Sequence, residues 1–209
     1  MAAEARAAVA ARGRFVMAVS GGRTPWLMLA ALAGEDVPWK SVHVVQVDER
    51  VAPAGSADRN WTHLAESLPG AAAMTGQLHA MPVESPDLEA AAREYSDTLS
   101  GLAGSPPALD LVHLGLGEDG HTASLVPGDA ALEVTGKDVA VTGVYRGARR
   151  MTLTYPVINR ARRILWLVTG REKAAMLARL RDGDASIPAG RIRRDDALVL
   201  ADRAAAGQR

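Results

Sequence analysis

Apolar residues fall in five short runs along the chain, at 15–19, 42–47, 109–114, 164–169 and 197–200. Each is dominated by Val, Leu, Ile and Ala, the pattern of strands covered on both faces in a parallel sheet. Between them the spacing changes to that of helices. Residues 2–12, 26–33, 61–68 and 171–180 suit helices, and 88–102 places Leu88, Ala92, Tyr95, Leu99 and Leu102 on one face. Residues 138–144 and 150–154 read as two further strands, 156–161 as a helical turn, 187–192 as a loop and 204–209 as a frayed tail. Strands alternating with helices predict an open, mostly parallel, Rossmann-like α/β sheet with helices on both faces, in a single domain over 1–209. Right-handed crossovers would bring the loops after Val19, Val47, Leu114 and Thr169 to one rim, where ligands of such sheets bind.

Those four loops hold the residues with chemistry. The first is Ser20-Gly21-Gly22-Arg23-Thr24-Pro25, running from a strand into a helix with Thr24 as its expected cap. Paired glycines and hydroxyls at a helix start present backbone N–H groups to an anion. The second loop opens on Asp48-Glu49-Arg50, three charges at a buried strand's exit, followed by a polar stretch to Asn60. The third, Gly115-Leu116-Gly117-Glu118-Asp119-Gly120-His121-Thr122-Ala123-Ser124-Leu125, sets an imidazole two residues from a carboxylate that could orient it as a general base. The fourth puts Lys173 in the first turn of a helix, where a cation is unfavourable unless an anion binds beside it. His43, His63, His79 and His113 have no comparable setting: His43 and His113 fall in strands and His63 on a helix.

Composition narrows the classes. Twenty-four basic side chains balance 24 acidic ones, so there is no basic footprint for nucleic acid. There is no cysteine, hence no disulfide, thiolate nucleophile or thiolate metal site. Residues 1–12 lack the apolar core of a signal peptide and no run reaches membrane-spanning length, so a cytoplasmic protein is expected. The Gly115-x-Gly117-x-x-Gly120 spacing matches the dinucleotide fingerprint, but at mid-chain and followed at once by His121. No P-loop is present. The Asp119–His121 pair has no obvious third ligand, and neither metal nor cofactor is expected.

Ser20-Gly21-Gly22-Arg23-Thr24-Pro25, Asp48-Glu49-Arg50 with Asn60, the 115–125 loop, Met151-Thr152-Leu153-Thr154 and Gly170-Arg171-Glu172-Lys173 together resemble the 6-phosphogluconolactonase family, in order and over nearly the whole chain. Arg23 stands where that family usually has a small or hydroxyl residue. The resemblance implies hydrolysis of 6-phospho-D-glucono-1,5-lactone in the oxidative pentose phosphate pathway. On it, His121 is the base, Asp119 or Asp48 holds the imidazole, and Arg50 or the N–H groups of a glycine loop meet the oxyanion. Ser20, Gly21, Gly22, Thr24, Asn60, Gly117, Lys173 and Arg191 are expected to bind the substrate and its phosphate. The expected partner is the sugar-phosphate lactone alone, with no nucleic acid or membrane, the protein being a monomer or weak homodimer. Related deaminases carry a glutamate soon after the Asp-Gly-His loop and an aromatic residue at the third position of the Asp-Glu-Arg triplet. This chain has neither. His121 likewise separates it from non-catalytic sugar-phosphate sensors.

Overall fold

The computed structural model describes residues 1–68 and 77–208. Its centre is a six-stranded sheet in the order β4-β2-β1-β5-β8-β9, with every neighbouring pair parallel. The strands are β1 (Phe15–Val19), β2 (Val42–Gln46), β4 (Leu78–His79), β5 (Leu111–Leu114), β8 (Arg163–Val168) and β9 (Ala197–Ala201). The expected parallel core is therefore present, at slightly different bounds. Strand β4 has only two residues, too few for a periodic pattern to reveal it.

Alternation along the strands sorts side chains between two cores. In β1, Val16 and Ala18 join one cluster with Tyr95, Leu99, Val112, Leu114 and Leu177, while Phe15, Met17 and Val19 join another with Leu29, Leu64 and Leu111. The first cluster packs α4 (Leu88–Ala103) and α6 (Ala174–Asp182) on one face. The second packs α1 (Ala2–Arg12), α2 (Arg23–Ala33) and α3 (Asn60–Ser67) on the other. A short helix, α5 (Tyr155–Arg160), leads into β8. Helix α4 is fixed at its start by Asp87, whose carboxylate accepts the Ala90 N–H at 2.9 Å.

The chain leaves β1 for β2 and β4 on one side, then returns to place β5 on the other side of β1. Between β1 and β5 the winding reverses, and a crevice opens there beyond the strand ends.

Three expectations are corrected. Asp48-Glu49-Arg50 does not open a loop but forms a strand, β3 (Asp48–Arg50), in a small antiparallel sheet with β7 (Arg150–Leu153) and β6 (Val139–Val141). Val47 makes the transfer: its N–H donates to Val19 O at 3.0 Å, and its carbonyl accepts the Leu153 N–H at 2.8 Å. One residue thus closes the parallel ladder and opens the antiparallel one. Thr24 does not cap α2; Gly22 occupies that position and Thr24 lies in the first turn. The end of the chain is anchored through Gln208, because Asp202 accepts the Ala205 N–H at 2.7 Å and Ala205 is buried. Residue 209 lies outside the described residues. Among the described residues no helix is long and apolar enough to cross a membrane.

Candidate active site

A cavity of about 410 Å³ occupies the crevice at the β1/β5 switch point. Its lining takes Ser20 to Arg23 after β1, Asp48 and Arg50 from β3, Asn60 and His63 from α3, Gly115 to Gly117 with His121 after β5, and Lys173 after β8. The four loops expected on one rim do meet there. In a chain of zero net charge, five cations (Arg23, Arg50, Arg146, Arg150 and Lys173) line this space against Asp48 as the lining carboxylate. Such a field favours a multiply charged anion.

The anion end is built from backbone. The first helical hydrogen bond of α2 runs from the Trp26 N–H to Gly22 O, so the N–H groups of Arg23 and Thr24 precede it at the positive end of the helix. Gly21 is needed for space: a Cβ there would stand 1.9 Å from Asn60 Oδ1. Lys173 lines the same cavity, with Glu118 Oε1 3.5 Å from its Nζ. Ser20 lines the cavity but lacks a free donor. Its hydroxyl donates to His113 O at 3.0 Å and its N–H to His113 Nδ1 at 3.3 Å. His113 itself is fully buried, and burial holds its pKa down to about 4. A neutral imidazole therefore forms the floor beneath the glycine loop.

His121 lines the same cavity, paired with Asp119. His121 Nδ1 lies 2.5 Å from Asp119 Oδ1, which also accepts the His121 N–H at 3.1 Å. Tyr145 donates its hydroxyl to Asp119 Oδ2 at 2.8 Å. Partial burial pushes the Asp119 pKa up, but the bonds from His121 and Tyr145 outweigh it and hold the value at about 2. An ionised carboxylate only accepts, so Nδ1 carries the ring proton and Nε2 offers a lone pair. Gly117 makes the pairing possible, since a Cβ there would meet His121 Nδ1 at 2.1 Å and Asp119 Oδ1 at 2.6 Å. Its own N–H closes the loop on His121 O at 2.8 Å, so Gly117 contributes room rather than a donor.

The Asp48-Glu49-Arg50 strand divides its labour. Glu49 is fully buried and faces away from the cavity. It accepts N–H groups from Arg50 at 2.7 Å, Asn60 at 2.8 Å and Trp61 at 2.7 Å, and the Gln46 amide at 2.8 Å. This carboxylate satisfies the N-terminus of α3 and thereby locates Asn60, whose amide donates to Asp48 O at 3.0 Å. Asp48 accepts the Ser124 hydroxyl at 2.5 Å, and burial raises its pKa despite that bond and the nearby Arg150. Of the two carboxylates considered for the histidine, the one bonded to it is Asp119. Arg50 lines the cavity and donates to Asp58 O at 2.6 Å.

Two expected binding groups are placed elsewhere. Arg191 sits in the Pro188–Arg191 turn and reaches across to Glu133 Oε1 at 3.0 Å and Leu132 O at 3.1 Å, over the Tyr155 ring. Those partners hold it outside the cavity. The Thr24 hydroxyl bonds Thr169 Oγ1 at 2.9 Å, tying α2 to the end of β8. Conversely, Tyr145, Arg146 and Arg150 were not foreseen. They come from the β6–β7 hairpin, which folds over the rim. Arg150 is buried and lies 5.1 Å from the centre of the Tyr145 ring. The one signal in the sequence was an arginine immediately before Met151-Thr152-Leu153-Thr154. Among the described residues no group of three or more His, Asp or Glu side chains could hold a metal ion.

The profile of the family described as glucosamine-6-phosphate isomerases/6-phosphogluconolactonase matches residues 1–200. A 6-phosphogluconolactonase of Synechocystis is 39% identical over 83% of this chain and 74% of its own length. That of Mycobacterium tuberculosis is 36% identical over 97% and 88%. Among solved structures, the 6-phosphogluconolactonase of Thermotoga maritima superposes with a TM-score of 0.84 at 27% identity, covering 95% of this chain and 89% of that one. The enzyme of Trypanosoma brucei gives 0.84 at 26%, covering 98% and 90%. A monomeric glucosamine-6-phosphate deaminase, 20% identical with a TM-score of 0.80 over 99% and 94%, shares the fold.

Proposed function

The chain belongs to the glucosamine-6-phosphate isomerase/6-phosphogluconolactonase family, and we infer from its cavity which of that family's reactions it performs. It hydrolyses 6-phospho-D-glucono-1,5-lactone to 6-phosphogluconate, the lactonase step of the oxidative pentose phosphate pathway. What favours hydrolysis over deamination is that this chain has no glutamate soon after its Asp-Gly-His loop and has Arg50 as the third residue of the Asp48-Glu49-Arg50 triplet. The His121–Asp119 pair supplies a base beside the cavity.

The lactone phosphate is held by the N–H groups at the start of α2, by Lys173 and by Arg23. That anchor supplies binding energy that orients C1. Nε2 takes a proton from water as the oxygen attacks C1, and the carbonyl becomes a tetrahedral oxyanion. With the Gly117 N–H already engaged, Arg50 is the donor for that oxyanion. Collapse breaks the bond between C1 and the ring oxygen, which takes the proton back from the imidazolium and leaves as the C5 hydroxyl. The new carboxylic acid then ionises. Asp119 stays charged throughout and stabilises the imidazolium.

No metal enters these steps. The partner is the lactone itself, without nucleic acid or membrane, and the protein works in the cytoplasm as a monomer or weak homodimer. Support for this setting is the neutral overall charge and the absence of cysteine. The test is lactone formed in situ by enzymatic oxidation of glucose 6-phosphate. Its loss should exceed the spontaneous rate and be unaffected by EDTA. Release of ammonia from glucosamine 6-phosphate, with no acceleration of lactone loss, would overturn the assignment.

A further inference from the structure

Tyr145 takes no part in the steps above, yet its side chain stands against the catalytic pair. It sits at the tip of the β6–β7 hairpin, where its N–H donates to Ala148 O at 3.0 Å and its carbonyl accepts the Ala148 N–H at 3.3 Å. The ring meets the His121 imidazole edge to face, 5.6 Å between centres. The guanidinium groups of Arg146 and Arg150 lie 5.2 and 5.1 Å from the ring centre. The hydroxyl donates to Asp119 Oδ2 at 2.8 Å, while Oδ1 of the same carboxylate holds Nδ1.

A carboxylate turns easily about its last torsion, so contact at one oxygen leaves its plane free. A second donor at the other oxygen fixes that plane, and with it the imidazole. We propose that Tyr145 is a positioning residue: its hydroxyl locks Asp119 so that His121 Nε2 is held in one orientation toward the attacking water. The same bond draws charge from the carboxylate and so weakens its hold on an imidazolium. The other charged groups facing the pair are Asp48 on β3, Arg150 on β7 and Arg146 at the hairpin tip. Burial and the bond to Asp119 raise the Tyr145 pKa, which keeps the phenol neutral and donating.

The consequence for rate rests on the lactonase reading; the consequence for the imidazole does not. Tyr145→Phe keeps the ring and removes the hydroxyl. Its kcat should fall about tenfold, the loss of one hydrogen bond to a charged group, with KM unchanged within about twofold. The acid limb of kcat should move to higher pH. Independently of substrate, an NMR titration of the His121 ring, assigned by its absence in His121→Asn, should show its pKa raised by about half a unit or more. Unmoved kcat and an unmoved ring titration would overturn the proposal. So would a raised KM with intact kcat, which would make Tyr145 a substrate contact. A wild-type protein without lactonase activity but with the shifted titration would refute the lactonase reading and leave the positioning role standing.

Discussion

Beside His121 the carboxylate Asp119 is already satisfied, while the cations beside the glycine loop and at Lys173 are scarcely used. Asp119 takes bonds from His121 Nδ1, the His121 N–H and Tyr145. Lys173 has a 3.5 Å approach to Glu118, a side chain 60% exposed, and Arg23 lies at the exposed mouth. Groups that must point a proton acceptor in one direction gain from being locked before substrate arrives. Groups that must receive a dianion gain from leaving their donors uncommitted until it comes. Catalysis and anchoring should therefore separate cleanly into kcat and KM.

The largest effect expected from breaking this contrast is at His121. His121→Asn keeps a polar side chain but cannot act as the base, and kcat should fall about 10²–10⁴-fold while 6-phosphogluconate still binds. Steady-state rates corrected for spontaneous hydrolysis, with calorimetry for the product, check both halves. The acid limb of the wild-type profile should vanish in the variant. Asp119, held at about 2, cannot produce a limb nearer neutrality, whereas Asp48, with its pKa raised by burial, could. A limb that survives His121→Asn and disappears in Asp48→Asn would move the base to β3.

The floor under the anion loop should impose a pH dependence on stability rather than on rate. Burial lowers the His113 pKa from 6.5 to about 4 in the folded protein. Between those values the unfolded chain binds the proton and the folded one does not, so stability falls as pH drops through this window and levels off below it. The loss is about 3 kcal/mol over the whole window. Urea unfolding at pH 7 and pH 4.5 should show it. His113→Gln, which can still accept the Ser20 N–H, should flatten part of the slope, the rest coming from His43 and His79, whose pKa values burial also lowers.

Smaller changes belong to the anion end. Lys173→Ala should raise KM for the phosphorylated lactone about tenfold to a hundredfold, with kcat and Tm nearly unchanged. A large fall in Tm with normal kinetics would show that Lys173 is structural. The smallest effect sharpens the comparison furthest. Glu118→Gln removes the carboxylate paired with Lys173, and KM should fall by about twofold or less, as for an exposed ion pair. A rise in KM would mean that Glu118 itself helps to hold the substrate.

The parallel sheet and the loops at its strand ends were legible from the chain because both are encoded locally. An apolar run of five residues such as Phe15–Val19 can satisfy its backbone only in a sheet and its side chains only between two layers. Glycines at 21 and 117 mark where another side chain crowds the backbone, and Asp119 and His121 are two residues apart, near enough to meet whatever the rest of the fold does. The Thr24 cap and the loop expected to open at Asp48-Glu49-Arg50 were misread for the same reason. Local preference pointed one way, while pairing of β3 with β7 and the Thr24–Thr169 bond supplied better partners from 100 or more residues away.

What only the tertiary structure decided was the partner of each charge. Tyr145 is 26 residues from Asp119, Ser124 is 76 from Asp48, and Arg191 is 58 from the Glu133 that draws it out of the site. No period in the sequence specifies such pairs. They follow from where the β6–β7 hairpin and the Pro188–Arg191 turn come to rest once hydrophobic burial has set the sheet. A charge then takes the best-placed partner in that geometry, and only the folded chain determines which partner that is.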